Sequence, residues 1–101
     1  MIEIRETETF KAWFTALKDE RAKARISVRI RRVSLGNFGE IRPVGKGVSE
    51  LKIDYGPGYR VYFVRHGDMI VILLCGGDKS TQSRDIQKAH ELAAMLKDQA
   101  I

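Results

Sequence analysis

The sequence has few residues that could cross-link a scaffold. It holds one cysteine, Cys75, and two isolated histidines, His66 and His90. A single cysteine forms no internal disulfide, which excludes a disulfide-built secreted scaffold. No Cys/His cluster has metal-ligand spacing, so no metal or other cofactor is expected. Long hydrophobic runs are also missing. The longest, Met69–Cys75, is seven residues, too short to span a bilayer. The N-terminal MIEIRETETF has no long apolar region, and no signal peptide is expected. Repeats, linkers and low-complexity segments are absent as well. A P-loop is excluded too. Lys79-Ser80 would need glycine where Leu73 and Asp78 stand. The chain reads as a cytoplasmic protein without a membrane partner, and Cys75 as a buried small hydrophobe.

What is present fits one globular domain over residues 1–101. Hydrophobic residues make up 44% and charged residues 31% of the chain, which argues against disorder. The net charge of +5 favours an anionic partner such as nucleic acid, an acidic protein or a membrane surface.

Periodicity orders the elements. Ile2–Arg5 alternates as a short strand. Phe10, Trp13, Phe14 and Leu17 form one face of a helix packed as core, capped by Thr7 or Thr9. Asp19 caps a second helix to about Leu35, which Gly36 ends. Strands then follow over Glu40–Val44, Val48–Tyr55, Tyr59–Arg65 and Met69–Cys75, separated by glycine-bearing turns, an antiparallel meander. Pro43 suggests an edge position for the first, and the doubly apolar last strand a central one. Gly76-Gly77 is expected to turn the chain. A helix over Ser83–Ala100, capped by Ser80 or Thr81, closes it. The expected class is α+β in the order β-α-α-β-β-β-β-α.

Cations gather in three places. Arg21, Arg25, Arg29 and Arg32 fall on one helical stripe, either an ordinary solvated face or a phosphate-tracking surface. With Leu51, Ile53, Val61 and Phe63 facing the core, Lys52, Arg60 and Tyr62 point away from it. Lys52 and Arg60 then converge on neighbouring strands, where two cations can hold a phosphate and oppose transition-state charge. Lys79 opposes the dipole of the last helix unless an anion docks there. Arg84 and Asp85 have salt bridges to neighbours as their simplest role.

The runs GVSELKIDYGPGYRVYF and LLCGGDKSTQSRDI, with the helix end ARISVRIRRVSLGNFGE, resemble the RelE/ParE superfamily of bacterial toxins. They are most similar to its HigB-like "addiction module killer protein" branch, over nearly the whole chain. The resemblance implies a RelE-like fold akin to microbial ribonucleases. It implies a type II toxin that cleaves mRNA on the ribosome, neutralised by an adjacently encoded antitoxin, commonly a helix-turn-helix protein. The family's strand arginine falls on Arg60, and a basic residue of the preceding strand on Lys52. The family's C-terminal Tyr or His has no clean counterpart here; Gln82, Arg84 and Asp85 occupy that region. Lys52, Arg60 and Lys79 would supply charge to a metal-free endoribonuclease, with Asp85 or Lys52 as base. Arg21, Arg25, Arg29, Arg32, Lys46, Tyr62, Gln82 and Arg84 are the expected RNA contacts. A ParE-like gyrase inhibitor, or a non-catalytic RNA- or partner-binding module, is the alternative, and fold does not choose among them.

Overall fold

The computed structural model describes residues 1–98; the expected helix end at Ala100 lies outside the described residues. The elements are β1 (Glu3–Glu6), α1 (Glu8–Ala16), α2 (Glu20–Ser34), β2 (Ile41–Pro43), β3 (Val48–Ile53), β4 (Tyr59–His66), β5 (Ile70–Gly77), a 3₁₀ turn (Lys79–Thr81) and α3 (Gln82–Asp98). The sheet order is β1-β5-β4-β3-β2. β1 runs parallel to β5, and the other pairs are antiparallel. The chain is thus α+β with a mixed five-stranded sheet.

Local chemistry sets the helix starts. Thr7 Oγ1 accepts from the Phe10 amide at 3.0 Å and donates to the Leu74 carbonyl at 2.6 Å, so one hydroxyl both caps α1 and fixes it on β5. Asp19 accepts from the Arg21 and Ala22 amides and caps α2. Leu35 closes α2, and Gly36 follows at φ +91°.

The sheet is covered on both faces. Phe10, Ile26, Leu51, Ile53, Val61, Phe63, Val71 and Leu73 form one core layer with α1 and α2. Val48, Tyr62, Ile72, Leu74, Cys75, Ala89 and Ala93 form another beneath α3. This corrects the expectation that Arg60 and Tyr62 point to an open face. Alternation does place them opposite Val61 and Phe63, but α3 covers that side, leaving Arg60 6% and Tyr62 0% exposed.

β5 departs from the sequence reading at its end. Tyr62 pairs with Cys75 while Phe63 pairs with Leu73, so Leu74 is a bulged extra residue. Leu74 and Cys75 therefore both serve the α3 layer. Gly76 and Gly77 do not turn; they complete the strand. A Cβ at Gly76 would collide with the Trp13 indole, and one at Gly77 with the Asp85 carboxylate. These glycines are there for close approach, not for turning. Trp13 packs partly buried against this point and edge-on to Tyr59.

Candidate active site

The side chains of β3 and β4 that face α3 build the site. Lys52 pairs with Arg60, and Glu50 with Tyr62, across neighbouring strands. Cross-strand partners on one face lie within side-chain reach. Together with Gln82 from the start of α3, and Glu40, Ile41 and Arg42 from the edge, Glu50, Lys52 and Arg60 line a cleft of about 380 Å³.

Glu50 is the hub. Its side chain is 4% exposed and faces Arg42 at 3.2 Å and Arg60 Nε at 3.6 Å. Gln82 Nε2 donates to it at 2.8 Å. A buried carboxylate needs such partners, because an isolated charge out of water costs several kcal/mol. The contact from Arg60 Nε is beyond hydrogen-bond length, and that nitrogen is buried without a hydrogen-bond partner. The rest of the guanidinium is anchored by Nη1, which donates to the Gly58 carbonyl at 2.7 Å. Lys52 is different. Its side chain is half-exposed and its ammonium lies 3.6 Å from Asp54, so it is the solvent-facing cation of the cleft.

Tyr62 is buried core beneath α3 rather than a surface contact, and it does not line the cleft. Its buried hydroxyl, beside Glu50, completes no hydrogen bond of ordinary geometry. Burial, then the charge of Glu50, pushes its pKa well up. Cys75 next to it is pushed up to about 12, chiefly by burial and then by Asp85.

The other expected residues lie elsewhere. Asp78 caps the 3₁₀ turn that leads into α3. It accepts from the Ser80 amide at 2.8 Å, and the Ser80 bonds hold its carboxyl below the usual range. Lys79 and Arg84 line a separate shallow cleft of about 370 Å³ with Ser80, Thr81 and Ser83. Gln82 lines both clefts. Asp85 does not line the Lys52–Arg60 cleft; it accepts from Thr81 Oγ1 at 2.5 Å and sits over Gly77. Lys46 is exposed at φ +55° in the β2–β3 turn, which His90 Nε2 holds through the Val44 carbonyl at 2.9 Å. Lys46 does not reach the cleft either.

The α2 stripe is on the other side of the sheet. Arg25 stacks over the Tyr55 ring at 4.8 Å, and Arg25, Arg29 and Arg32 line a groove with Val28 and Ile53. Among the described residues, Arg21, Arg25, Arg29 and Arg32 form no ion pair with a carboxylate.

Sequence reasoning missed Glu50 and Arg42. The signal for Glu50 was available, since it shares the parity of Lys52 in SELKI. Arg42 pairs with Glu50 across β2 and β3, a register no local pattern reveals.

Among the described residues, no group of three or more His, Cys, Asp or Glu is placed to hold a metal ion. No helix there is long and apolar enough to cross a membrane.

The chain is thus an α+β domain whose cleft sets the Glu50 carboxylate among Arg42, Lys52 and Arg60. Residues 12–96 match the model of the family described as "Phage derived protein Gp49-like (DUF891)". The chain belongs to this phage-derived Gp49-like family, a toxin-like family related to RelE and HigB. It is similar to an uncharacterized protein of Haemophilus influenzae, 54% identical over 95 residues, covering 94% of this chain and 96% of the relative.

Proposed function

We propose that the protein is the toxin of a type II toxin–antitoxin pair and acts as a metal-independent, ribosome-dependent mRNA endonuclease. The observation that carries this reading is the cleft, which gathers Glu50, Lys52, Arg60 and Gln82 on one sheet face. The toxin-like character of the Gp49-like family supports it, and the α+β architecture is compatible with a RelE-like fold.

The chemistry proposed is an internal transesterification. The 2′-oxygen attacks the adjacent phosphorus while its proton passes to a carboxylate. Glu50 is the carboxylate on the cleft floor, and Gln82 and the arginines fix its direction. Arg60, a rigid fork on a strand, and Lys52 oppose the charge that grows on the phosphorane. The bond to the 5′-oxygen breaks, and that oxygen takes a proton from the Lys52 ammonium at the mouth. The products are a 2′,3′-cyclic phosphate and a 5′-hydroxyl. An adjacently encoded antitoxin is the proposed protein partner, and cytoplasm the proposed compartment.

One observation favours a second reading. Among the described residues the arginines of the α2 stripe form no ion pair with a carboxylate, which suits a module that binds RNA or an acidic protein without chemistry. Expression in bacteria with primer extension on translated mRNA separates the two. The endonuclease reading expects growth arrest and discrete cuts that vanish in Lys52→Ala. Growth arrest without cuts rejects it, and inhibited supercoiling in the same cells identifies a gyrase inhibitor instead.

A further inference from the structure

Arg29 stands apart from the other arginines of its stripe. Its Nη1 donates to the Lys52 carbonyl at 2.7 Å and its Nη2 to the Phe38 carbonyl at 3.1 Å. β2 pairs with β3 only as far as Leu51. The Lys52 carbonyl is thus the first beyond the end of that ladder, where a backbone acceptor needs another donor. Arg29 supplies it from α2, through the opposite layer of the molecule. Gly39, at φ +62°, lets the chain pass close by; a Cβ there would lie 3.2 Å from Nη2. Phe38 is itself held by its stack on Phe63, with ring centroids 5.8 Å apart. Burial, then the charge of Arg32, lowers the Arg29 pKa.

We propose that Arg29 is a positioning residue for the cleft on the far side of β3. It fixes both the strand that carries Lys52 and the segment that leads from Phe38 to Glu40 and Arg42 on the rim. The inference rests on the endonuclease reading for its effect on rate, but not for the clamp itself. A guanidinium serves two carbonyls at fixed angles because its donors lie in one plane. Lysine keeps the charge and cannot reproduce the fork. A phosphate contact would behave otherwise, since lysine also binds phosphate as a point charge.

The test compares Arg29→Lys with Arg31→Gln, an exposed arginine on the same helix with no clamp. Amide hydrogen exchange is followed at residues 39–42 and 52–54, and cleavage is followed on translated mRNA. Arg29→Lys is expected to speed exchange in both segments and to lower kcat about 10- to 100-fold with a smaller change in KM, as misplacement of a reacting group does. Arg31→Gln is expected to leave both exchange and kcat unchanged. Wild-type exchange in Arg29→Lys overturns the clamp, and wild-type kcat with faster exchange overturns its role in positioning. A wild-type protein that cuts no mRNA defeats the endonuclease reading, and exchange alone then decides whether Arg29 holds the two segments.

Discussion

Gln82 Nε2 donates to Glu50 Oε2 at 2.8 Å although the two residues lie 32 apart in sequence. The bond ties the first residue of α3 to the middle of β3 and closes one end of the cleft. It also makes Glu50 a shared ligand of three elements, since Arg42 reaches it from β2 and Arg60 from β4. Removing the carboxylate should therefore do more than remove the proposed base. Glu50→Ala leaves the Arg60 guanidinium, its side chain 7% exposed, without its counter-charge. Breaking a buried pair from one side typically costs about 3–5 kcal/mol. Glu50→Gln keeps the shape and one acceptor, and should cost clearly less. Urea unfolding of both variants decides this; equal stabilities would show that Glu50 is not a structural hub.

Arg60 follows the same logic with the sign reversed. Arg60→Ala strands Glu50 with Arg42 and Gln82 only and loses the Nη1 bond to Gly58. It should abolish cleavage and also lower stability, by about 1–3 kcal/mol. Arg60→Lys should recover most of the stability and little of the activity. If Arg60→Ala melts like the wild type, the buried pair contributes nothing and Arg60 serves only the substrate.

That dual role marks where the sequence could and could not be read. Alternation in LKID and YRVYF paired Lys52 with Arg60 on one sheet face, and the register agrees. The same alternation was silent about what covers that face. Ile86, Ala89 and Ala93 seat α3 on Tyr62, Leu74 and Cys75, but periodicity does not say which face of a sheet a helix seats on. Arg60 and Tyr62 thus looked solvent-facing. Likewise, GlyGly after an apolar run looks like a turn, and only the approach of Trp13 and Asp85 shows why a strand carries it.

Gly76→Ala tests that approach. Its methyl would meet the Trp13 indole, so α1 must shift or the ring must leave its site. Overpacking of this kind typically costs about 1–3 kcal/mol. Trp13 is the single tryptophan, so its emission reports the change directly. A variant with unchanged emission and unchanged melting would mean that Trp13 is not held there.

Alkaline pH should destabilise the fold through Cys75. Its pKa rises from 9.0 to about 12 on folding. Between those values the native state binds more protons than the unfolded state, so stability falls as pH rises. The slope for one thiol is at most about 1.4 kcal/mol per pH unit. Tyr62, also raised by burial, adds to the fall at the upper end of the window. Urea midpoints measured from pH 8 to 11 should decline, and Cys75→Ala should flatten the part of the curve nearest pH 9. An unchanged slope in that variant would assign the decline to other groups.

The choice of proton acceptor is the sharpest test of the cleft. Three residues compete. Lys52 is a cation with its head in solvent and suits the acid role better. Asp85 is occupied by Thr81 Oγ1, packed on Gly77 and absent from the cleft lining. Glu50 lies on the floor between the two arginines and Gln82. Asp85→Asn should therefore leave cleavage within a few-fold of wild type and lower stability by about 1 kcal/mol, the usual worth of one hydrogen bond. Glu50→Gln, an equally small change, should lower cleavage about 10²- to 10⁴-fold, the usual contribution of a general base. Measuring single-turnover cleavage and urea unfolding for both variants separates rate from folding. The opposite ranking, with Asp85→Asn inactive but folded and Glu50→Gln active, would move the chemistry to the α3 side of Gly77 and leave Glu50 as the counter-ion of Arg60 alone.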